Sequence, residues 1–297
     1  MKMCDGLNQL ILKGMRRLMA AKPIIDGAGV HGVSAIFRNV VQTAAFGVLV
    51  GFATLPTARA DEPAPPFKPE ISDEAATAIS QMGKTLHARD LSVTARTVSV
   101  YLDESGQPLH IFHTIKIAAR RPDRIAVEFS GDDGRHDLFY NGKEASVFFP
   151  DSKKYMTIPA SGDTLSALNE IADKLDLDFP LAVLFAGSPD EILLDDTMAA
   201  RQVGTATVDG IECRHLLFSQ KSGIDVELWV EKNDAATPHR LIVTYPLLQG
   251  QPSFVAEFTS WTTDRPVSDS EFTFEPPADV KKIDPTPAVR TGTEGSK

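Results

Sequence analysis

A change to alternating apolar and polar residues at Leu91 constrains the fold of this chain more than any other feature. Successive side chains of a β-strand point to opposite faces of a sheet, so a period of two indicates half-buried strands. Turn-forming residues interrupt the alternation, and the strongest of these signals is Asn141-Gly142, because both residues tolerate a positive φ. The alternating segments before residue 160 are 92–101, 109–118, 124–129, 136–140, 144–149 and 155–158.

The alternation stops near residue 160 and resumes after Asp196. Short strands joined by tight turns pair in antiparallel order, and about eleven of them in one sheet must coil strongly. We therefore predict a mainly β fold of the α+β class, in which a strongly curved antiparallel sheet forms an open half-barrel. The segments of the second set are 201–208, 212–219, 225–231, 239–245, 254–262 and 272–274.

Helical spacing precedes the first set of strands. Ser72 is a suitable N-cap, and Asp73 and Glu74 suit the positive end of a helix dipole. The apolar stripe that follows is narrow, which is typical of a helix that lies on the surface of a sheet. Its members are Ala75, Ile79, Met82 and Leu86.

Three short helical segments are predicted between the two sets of strands. Asp163 and Asp178 are each placed to cap a helix, and residues 191–194 have the composition of one further helical turn. Because these helices must bury their apolar residues, we expect them to cover the concave face of the sheet. The apolar residues of the first two are Leu165, Leu168, Ala172 and Leu175, and then Leu181, Val183, Leu184 and Phe185.

The N-terminal region has the order of a secretory signal. Basic residues precede residues 40–55, which carry no charge, and Ala58 and Ala60 then form an A-x-A cleavage pattern. We predict a signal peptide over residues 1–60, with cleavage after Ala60 and a periplasmic mature protein that has no membrane span. An uncleaved anchor in the inner membrane is the alternative. The sequence further predicts a Pro-rich linker at 61–70, one domain at 71–283 and a disordered tail at 284–297.

Charge argues against nucleic acid as a partner. The chain has a formal net charge of −10, and its first 60 residues hold seven basic and two acidic residues, so the remainder is at −15. A chain this acidic repels phosphate backbones at long range. Only Cys213 follows the predicted cleavage site, so the mature protein has no partner cysteine for an internal disulfide.

Catalytic and metal-binding signatures are not apparent in the sequence. His110 and His113 are three residues apart on a predicted strand, where they face opposite sides and do not share one ion. Cys213 and His215 fall on one face of a strand, but no third member of a triad is evident. We predict no catalytic residues, no metal and no cofactor, and a hydrolase is the least favoured class.

Several phrases resemble a known family of exported proteins. Residues 139–155 (FYNGKEASVFFPDSKKY) resemble a strand and turn of periplasmic carriers of the LolA/LolB type. The second half is similar to an exported bacterial family, domain of unknown function 2092. The phrases that carry this second resemblance are 209–216 (DGIECRHL), 227–231 (ELWVE), 238–241 (PHRL) and 272–277 (FTFEPP). The resemblance implies a half-barrel with helices in or over its hollow, and the true carriers hold acyl chains there.

Our leading hypothesis is a non-catalytic periplasmic binding protein whose hollow shelters a lipid or a lipoprotein acyl chain. Each buried methylene is worth about 0.8 kcal/mol, so a chain of about ten can be held without a charged contact. The alternatives are a closed core with no cavity and an envelope module that binds another protein. The candidate lining residues are Ile111, Ile115, Leu165, Leu168, Leu181, Phe185 and Trp229.

Overall fold

A computed structural model describes residues 69–284, except residue 104, residues 176–178 and residue 264. The predicted signal peptide, the linker up to residue 68 and the tail from residue 285 lie outside the described residues. Cleavage after Ala60 therefore stays a prediction.

Twelve strands form one sheet in the described part of the chain. Eleven of them correspond to segments predicted from the alternation, with ends that differ by a few residues. Their bounds are β1 Asp90–Leu102, β2 Pro108–Arg120, β3 Arg124–Gly131, β4 Gly134–Tyr140, β5 Glu144–Phe149, β6 Lys154–Pro159, β7 Thr197–Val208, β8 Ile211–Gln220, β9 Asp225–Glu231, β10 Pro238–Thr244, β11 Ser253–Thr262 and β12 Lys281–Lys282.

The sheet consists of two antiparallel meanders joined at its centre. Its order is β12-β6-β5-β4-β3-β2-β1-β11-β10-β9-β8-β7, so β1–β6 form one meander and β7–β11 the other. The pairing of β1 with β11 connects them. The sheet is open and does not close into a barrel, and the predicted fold class is confirmed. The predicted strand at 272–274 is wrong, because the chain forms a 3-10 helix at Asp269–Phe272.

The helices occupy the positions that the sequence predicts, with one change of type. They are α1 at Asp73–Leu86, α2 at Thr164–Leu175, a 3-10 helix at Ala182–Phe185 and α3 at Pro189–Asp195. The Ser72 side chain accepts a hydrogen bond from the Ala75 N–H and caps α1. Of the second predicted helix, residues 182–185 form a 3-10 helix and Leu181 precedes it, while the predicted cap Asp178 lies outside the described residues. Within the described ranges, no helix is both long and apolar enough to span a membrane.

All these helices pack on one side of the sheet, which we call the helix-bearing face. Leu91, Val93 and Ala95 alternate along β1 and are buried in the main core. The pairing of Ala95 with Ile115 continues this row into β2. Full burial of such a side chain is worth about 1.5–3 kcal/mol, so the alternation decides which face receives the helices. Within the described residues, the opposite side carries none of these four helices, only the 3-10 helix at Asp269–Phe272, and we call it the helix-free face.

Both edges of the sheet are contacted by segments outside the meanders. At β7, Ile71 forms a bridge to Ala200, and the Ala200 N–H donates to the Glu70 carbonyl over 3.0 Å. At β6, the two residues of β12 pair in parallel, and the Lys281 N–H donates to the Lys153 carbonyl over 2.9 Å. Unpaired edges are sites for unwanted pairing between chains, and these contacts shorten both of them.

Gly131→Ala is expected to lower the free energy of unfolding by about 1–3 kcal/mol. A methyl group at Gly131 would lie far inside van der Waals contact with the Phe112 carbonyl and the His113 ring, so β2 and β3 would have to shift. Gly204→Ala in β7 is the matched control, because a methyl group there meets no atom within 4 Å. Urea denaturation measures both variants, and equal midpoints would contradict the assigned contact between β2 and β3.

Candidate functional site

The predicted lining residues in the helical region do come together beneath the helices. We call α2, the 3-10 helix and the described residues between them the helical cover. Leu165, Leu168, Leu181 and Phe185 of this cover are all buried in the main core. Ile115 of β2 belongs to the same core and faces the cover from the sheet. Five of the seven candidate residues therefore share one apolar interior.

The other two candidates lie elsewhere. Ile111 is on the same face of β2 as Ile115, but it is only half-buried and is not part of the core. Trp229 is on the helix-free face, so its predicted place in the hollow is wrong. Its neighbours Leu228 and Val230 point into the main core, and the alternation of β9 directs Trp229 to the other side.

The interior beneath the cover is filled. A cavity of about 20 Å³ remains between the sheet and the cover, which is room for about one water molecule. Side chains from the sheet and from the cover therefore already occupy the hollow. This arrangement resembles the closed core that the sequence analysis gave as an alternative. The cavity is lined by Val127, Phe129, His136, Leu138, Leu168, Ile171 and Phe179.

His136 is the one titratable side chain in the wall of this cavity. Its ring stacks on Phe129 with centroids 4.3 Å apart and lies near Phe149. Burial lowers the pKa of His136, the charge of Asp133 opposes this shift and His113 adds to it. The His113 Nε2 atom is 2.6 Å from Asp133 Oδ1, and this hydrogen bond lowers the pKa of Asp133. His136 is thus kept neutral in an apolar wall.

His136→Gln is expected to weaken the dependence of stability on pH. Because the pKa of His136 is lowered on folding, the unfolded chain binds the proton more readily than the folded one. The stability from this group is full above the unfolded pKa of 6.5 and is lost as the pH falls below it. The difference in urea midpoint between about pH 7.5 and pH 5.5 should therefore shrink in the variant. An unchanged difference would contradict the buried position of the ring. The control is His110→Gln, a replacement of an exposed histidine.

Arg121 links the cover to the sheet and was not singled out by the sequence. Its guanidinium donates to three carbonyls: Ala186 over 3.0 Å, Leu184 over 3.2 Å and Ala88 over 2.9 Å. The first two belong to the end of the 3-10 helix, and the third lies between α1 and β1. Burial lowers the pKa of Arg121 to about 10, so the side chain stays charged at neutral pH. The only sequence signal for this role is the position of the arginine in the turn between β2 and β3.

The Cys213 and His215 pair on the helix-free face is not arranged as a nucleophile and base. Cys213 is buried, and burial raises the pKa of its thiol. The His215 ring instead stacks on Trp229 with centroids 4.0 Å apart, and its Nε2 atom is 2.8 Å from Glu227 Oε2. Arg240 lies over the same indole at 5.4 Å. This arrangement is packing between strands, and it does not favour the thiol hydrolase considered from the sequence.

Within the described residues, no group of three or more His, Cys, Asp or Glu side chains could hold a metal ion. His110 pairs with Val100 of β1, and His113 pairs with Thr97. Because these positions are three residues apart along each strand, the two histidines face opposite sides of the sheet, as expected.

Comparisons with known proteins place the chain in a family. No curated protein matches it. The solved structures similar to it include an uncharacterised conserved protein from Thermus thermophilus (11% identity, 71% of this chain and 99% of that chain, TM-score 0.42). LprF from Mycobacterium bovis has 12% identity, coverage of 71% and 99%, and a TM-score of 0.41. Lipoprotein LppX from Mycobacterium tuberculosis has 16% identity, coverage of 66% and 99%, and a TM-score of 0.39.

The family model described as "Predicted periplasmic protein (DUF2092)" matches residues 75–285, which is most of the chain and nearly all of its described part. The chain therefore belongs to the DUF2092 family of predicted periplasmic proteins.

Proposed function

We propose that this protein is a non-catalytic periplasmic binding protein that takes a hydrocarbon tail between its helical cover and its sheet. The observation that carries the proposal is the attachment of the cover through Arg121, because this half-buried cation is held by backbone carbonyls and has no carboxylate partner among its hydrogen bonds. Such an attachment can be broken without leaving a buried unpaired anion.

The interior under the cover suits a hydrocarbon. Leu168 and Ile171 of α2 and Phe179 face Val127 and Phe129 of the sheet across the small cavity. A tail that enters here must replace the side chains of the cover, since the cavity itself holds about 20 Å³. The exchange replaces one set of apolar contacts with another, so its net free-energy cost is small compared with the free energy of burying the tail.

The hydrogen bonds of Arg121 are weak enough for a hydrocarbon tail to displace the cover. A net contribution of about 0.5–1.5 kcal/mol for each hydrogen bond gives Arg121 a few kcal/mol in total. Burial of a tail of about ten methylenes is worth about 8 kcal/mol. A hydrocarbon tail can therefore offset both the loss of the Arg121 contacts and part of the ordering of the ligand.

Native mass spectrometry of the protein purified from the periplasm of its producing organism tests binding. We expect a mass larger than that of the protein alone because lipid co-purifies, and we expect this extra mass to disappear after extraction with organic solvent. To locate it, a fatty acid with a spin label near its methyl end is added, and methyl resonances are observed by NMR. Broadening at Leu168 and Ile171, with Leu247 unaffected as an exposed control, supports the site. Absence of both bound lipid and selective broadening overturns the proposal.

An envelope interaction module is the second candidate, and one observation favours it. The edge strand β7 exposes the apolar side chains of Met198 and Val203, and a sheet edge can add a strand from another protein. A stoichiometric protein partner in the same purification, without lipid, would support this candidate instead. Met198→Lys and Val203→Lys should then release the partner, because charges on an edge strand oppose pairing.

A further inference from the structure

The helix-free face carries an open groove next to Phe112. Its volume is about 640 Å³, within the range of roughly 300–1,000 Å³ that is usual for small-molecule sites. Val98, Phe112 and Val255 form an apolar wall from three neighbouring strands. Phe112 is 55% exposed, one of the largest exposures of an apolar side chain in the described residues. The residues that line this groove differ from those that line the small cavity on the other face.

A second groove of about 340 Å³ lies along the same strands. Hydroxyl side chains dominate its β1 and β11 walls, and these are Ser92, Thr94, Ser260 and Thr262. Lys116 and Glu128 stand on the other side, where their charged atoms are 3.2 Å apart. One end is bounded by Glu271, from the 3-10 helix that precedes the C-terminus of the domain.

The two grooves meet end to end. Thr94 of the second and Arg96 of the first are successive side chains on one face of β1, and Lys116 and Thr114 are successive on β2. We call the combined surface the trough. From Ser92 to Val98 it extends about 20 Å at the usual rise of a strand, which is the length of a single-chain amphiphile.

The basic side chains Arg96 and Lys116 of the trough are paired with carboxylates, and Glu271 adds a negative charge at one end. Arg96 is 3.4 Å from Glu257 and 4.0 Å from Asp209, and Lys116 pairs with Glu128. A charged headgroup would have to compete with these internal pairs, whereas an uncharged one would not. The hydroxyl groups of the second groove can both donate and accept hydrogen bonds, as a headgroup with hydroxyls requires.

We propose that the trough binds a single-chain amphiphile with an uncharged, hydroxyl-bearing headgroup. Its hydrocarbon lies on Val98, Phe112 and Val255, and its headgroup lies among the serine and threonine side chains. The helix-free face already buries one aromatic side chain of the chain itself against β2. Phe272 is 1% exposed, and Arg120 of β2 lies over its ring.

Binding of monomeric octyl glucoside, below its micelle concentration, tests the proposal by NMR titration of the full-length protein. We expect shifts confined to the trough, and weaker binding of octanoate and octyltrimethylammonium, which have the same tail. Phe112→Ser should weaken octyl glucoside binding about tenfold, because the ligand loses about half of the free energy that full burial of a phenylalanine side chain provides. Leu247→Ser is the control, since Leu247 is 81% exposed on the loop between β10 and β11 and lines neither groove.

The design separates this site from the one under the cover. Thr94→Val should weaken the glucoside more than octanoate, while octyl glucoside should leave the broadening of Leu168 and Ile171 by the spin-labelled fatty acid unchanged. Equal affinity for all three amphiphiles overturns the headgroup assignment and with it the proposal. Equal effects of Phe112→Ser and Leu247→Ser, or loss of that broadening when octyl glucoside is added, would also overturn it. Thermal unfolding of each variant establishes that a lost signal is not lost folding.

Discussion

Replacing Phe185 with alanine is expected to lower the free energy of unfolding by about 3–5 kcal/mol. Phe185 is 1% exposed at the end of the 3-10 helix, and its ring lies 6.1 Å from that of Phe179. Truncation removes its apolar contacts and leaves a cavity that the helical cover and sheet can close only in part. Urea denaturation followed by circular dichroism measures the loss.

Phe112→Ala is the matched control for this experiment. Phe112 belongs to the helix-free face and is 55% exposed, so its truncation should cost less than about 1 kcal/mol. The Phe185→Ala protein should also bind benzene, because an apolar cavity of this kind stays dry and accepts apolar guests. Equal losses in the two variants would show that Phe185 is not packed beneath the cover.

Arg121→Leu is expected to lower the free energy of unfolding by about 3 kcal/mol or more. The leucine cannot donate, so the carbonyls of Ala186, Leu184 and Ala88 lose the guanidinium. A buried polar group left without its partner costs about 1–3 kcal/mol. Hydrogen exchange should accelerate first in the 3-10 helix at Ala182–Phe185, because that segment loses two of the three contacts.

Arg124→Leu provides the comparison on the same turn. The Arg124 guanidinium contacts the neighbouring Asp123 and is partly exposed. Surface ion pairs contribute about 0–1 kcal/mol, so this variant should unfold near the wild-type midpoint. Arg121→Lys should fall between the two, since an ammonium cannot reach three carbonyls as a planar guanidinium does. A wild-type midpoint for Arg121→Leu would refute its role in holding the cover.

The strands could be predicted because their signals are local. The turn at Asn141-Gly142 has Gly142 at a φ of 87°, and the Asn141 side chain accepts from the Lys143 and Glu144 N–H groups. The two-residue strand β12 could not be predicted, since Lys281 and Lys282 have no apolar period and pair only because the folded chain returns to β6. Phe272 was misassigned to a strand for a related reason. Its burial depends on Arg120, far away in sequence.

Part of the helical cover could be predicted, whereas the role of its residues in binding stays a prediction. Burial of the cover residues Leu165 and Leu168 followed from helical spacing, but spacing carries no information on whether facing side chains leave a gap. The position of Trp229 was ambiguous because both faces of this sheet bury apolar side chains. Val208, Cys213 and Trp229 form a small second core on the helix-free face. Arg121 was missed because its partners are backbone carbonyls, which have no sequence signature.

The central pairing of the sheet has a consequence for when the chain can fold. β1 lies beside β11, so Ser92 at one end of the domain pairs with Thr262 near the other. Contacts between residues so distant along a chain close a long loop, and proteins dominated by such contacts fold slowly. The central pair cannot form until most of the chain has been synthesised. In a family of predicted periplasmic proteins, this delay leaves time for an unfolded polypeptide to be threaded across a membrane.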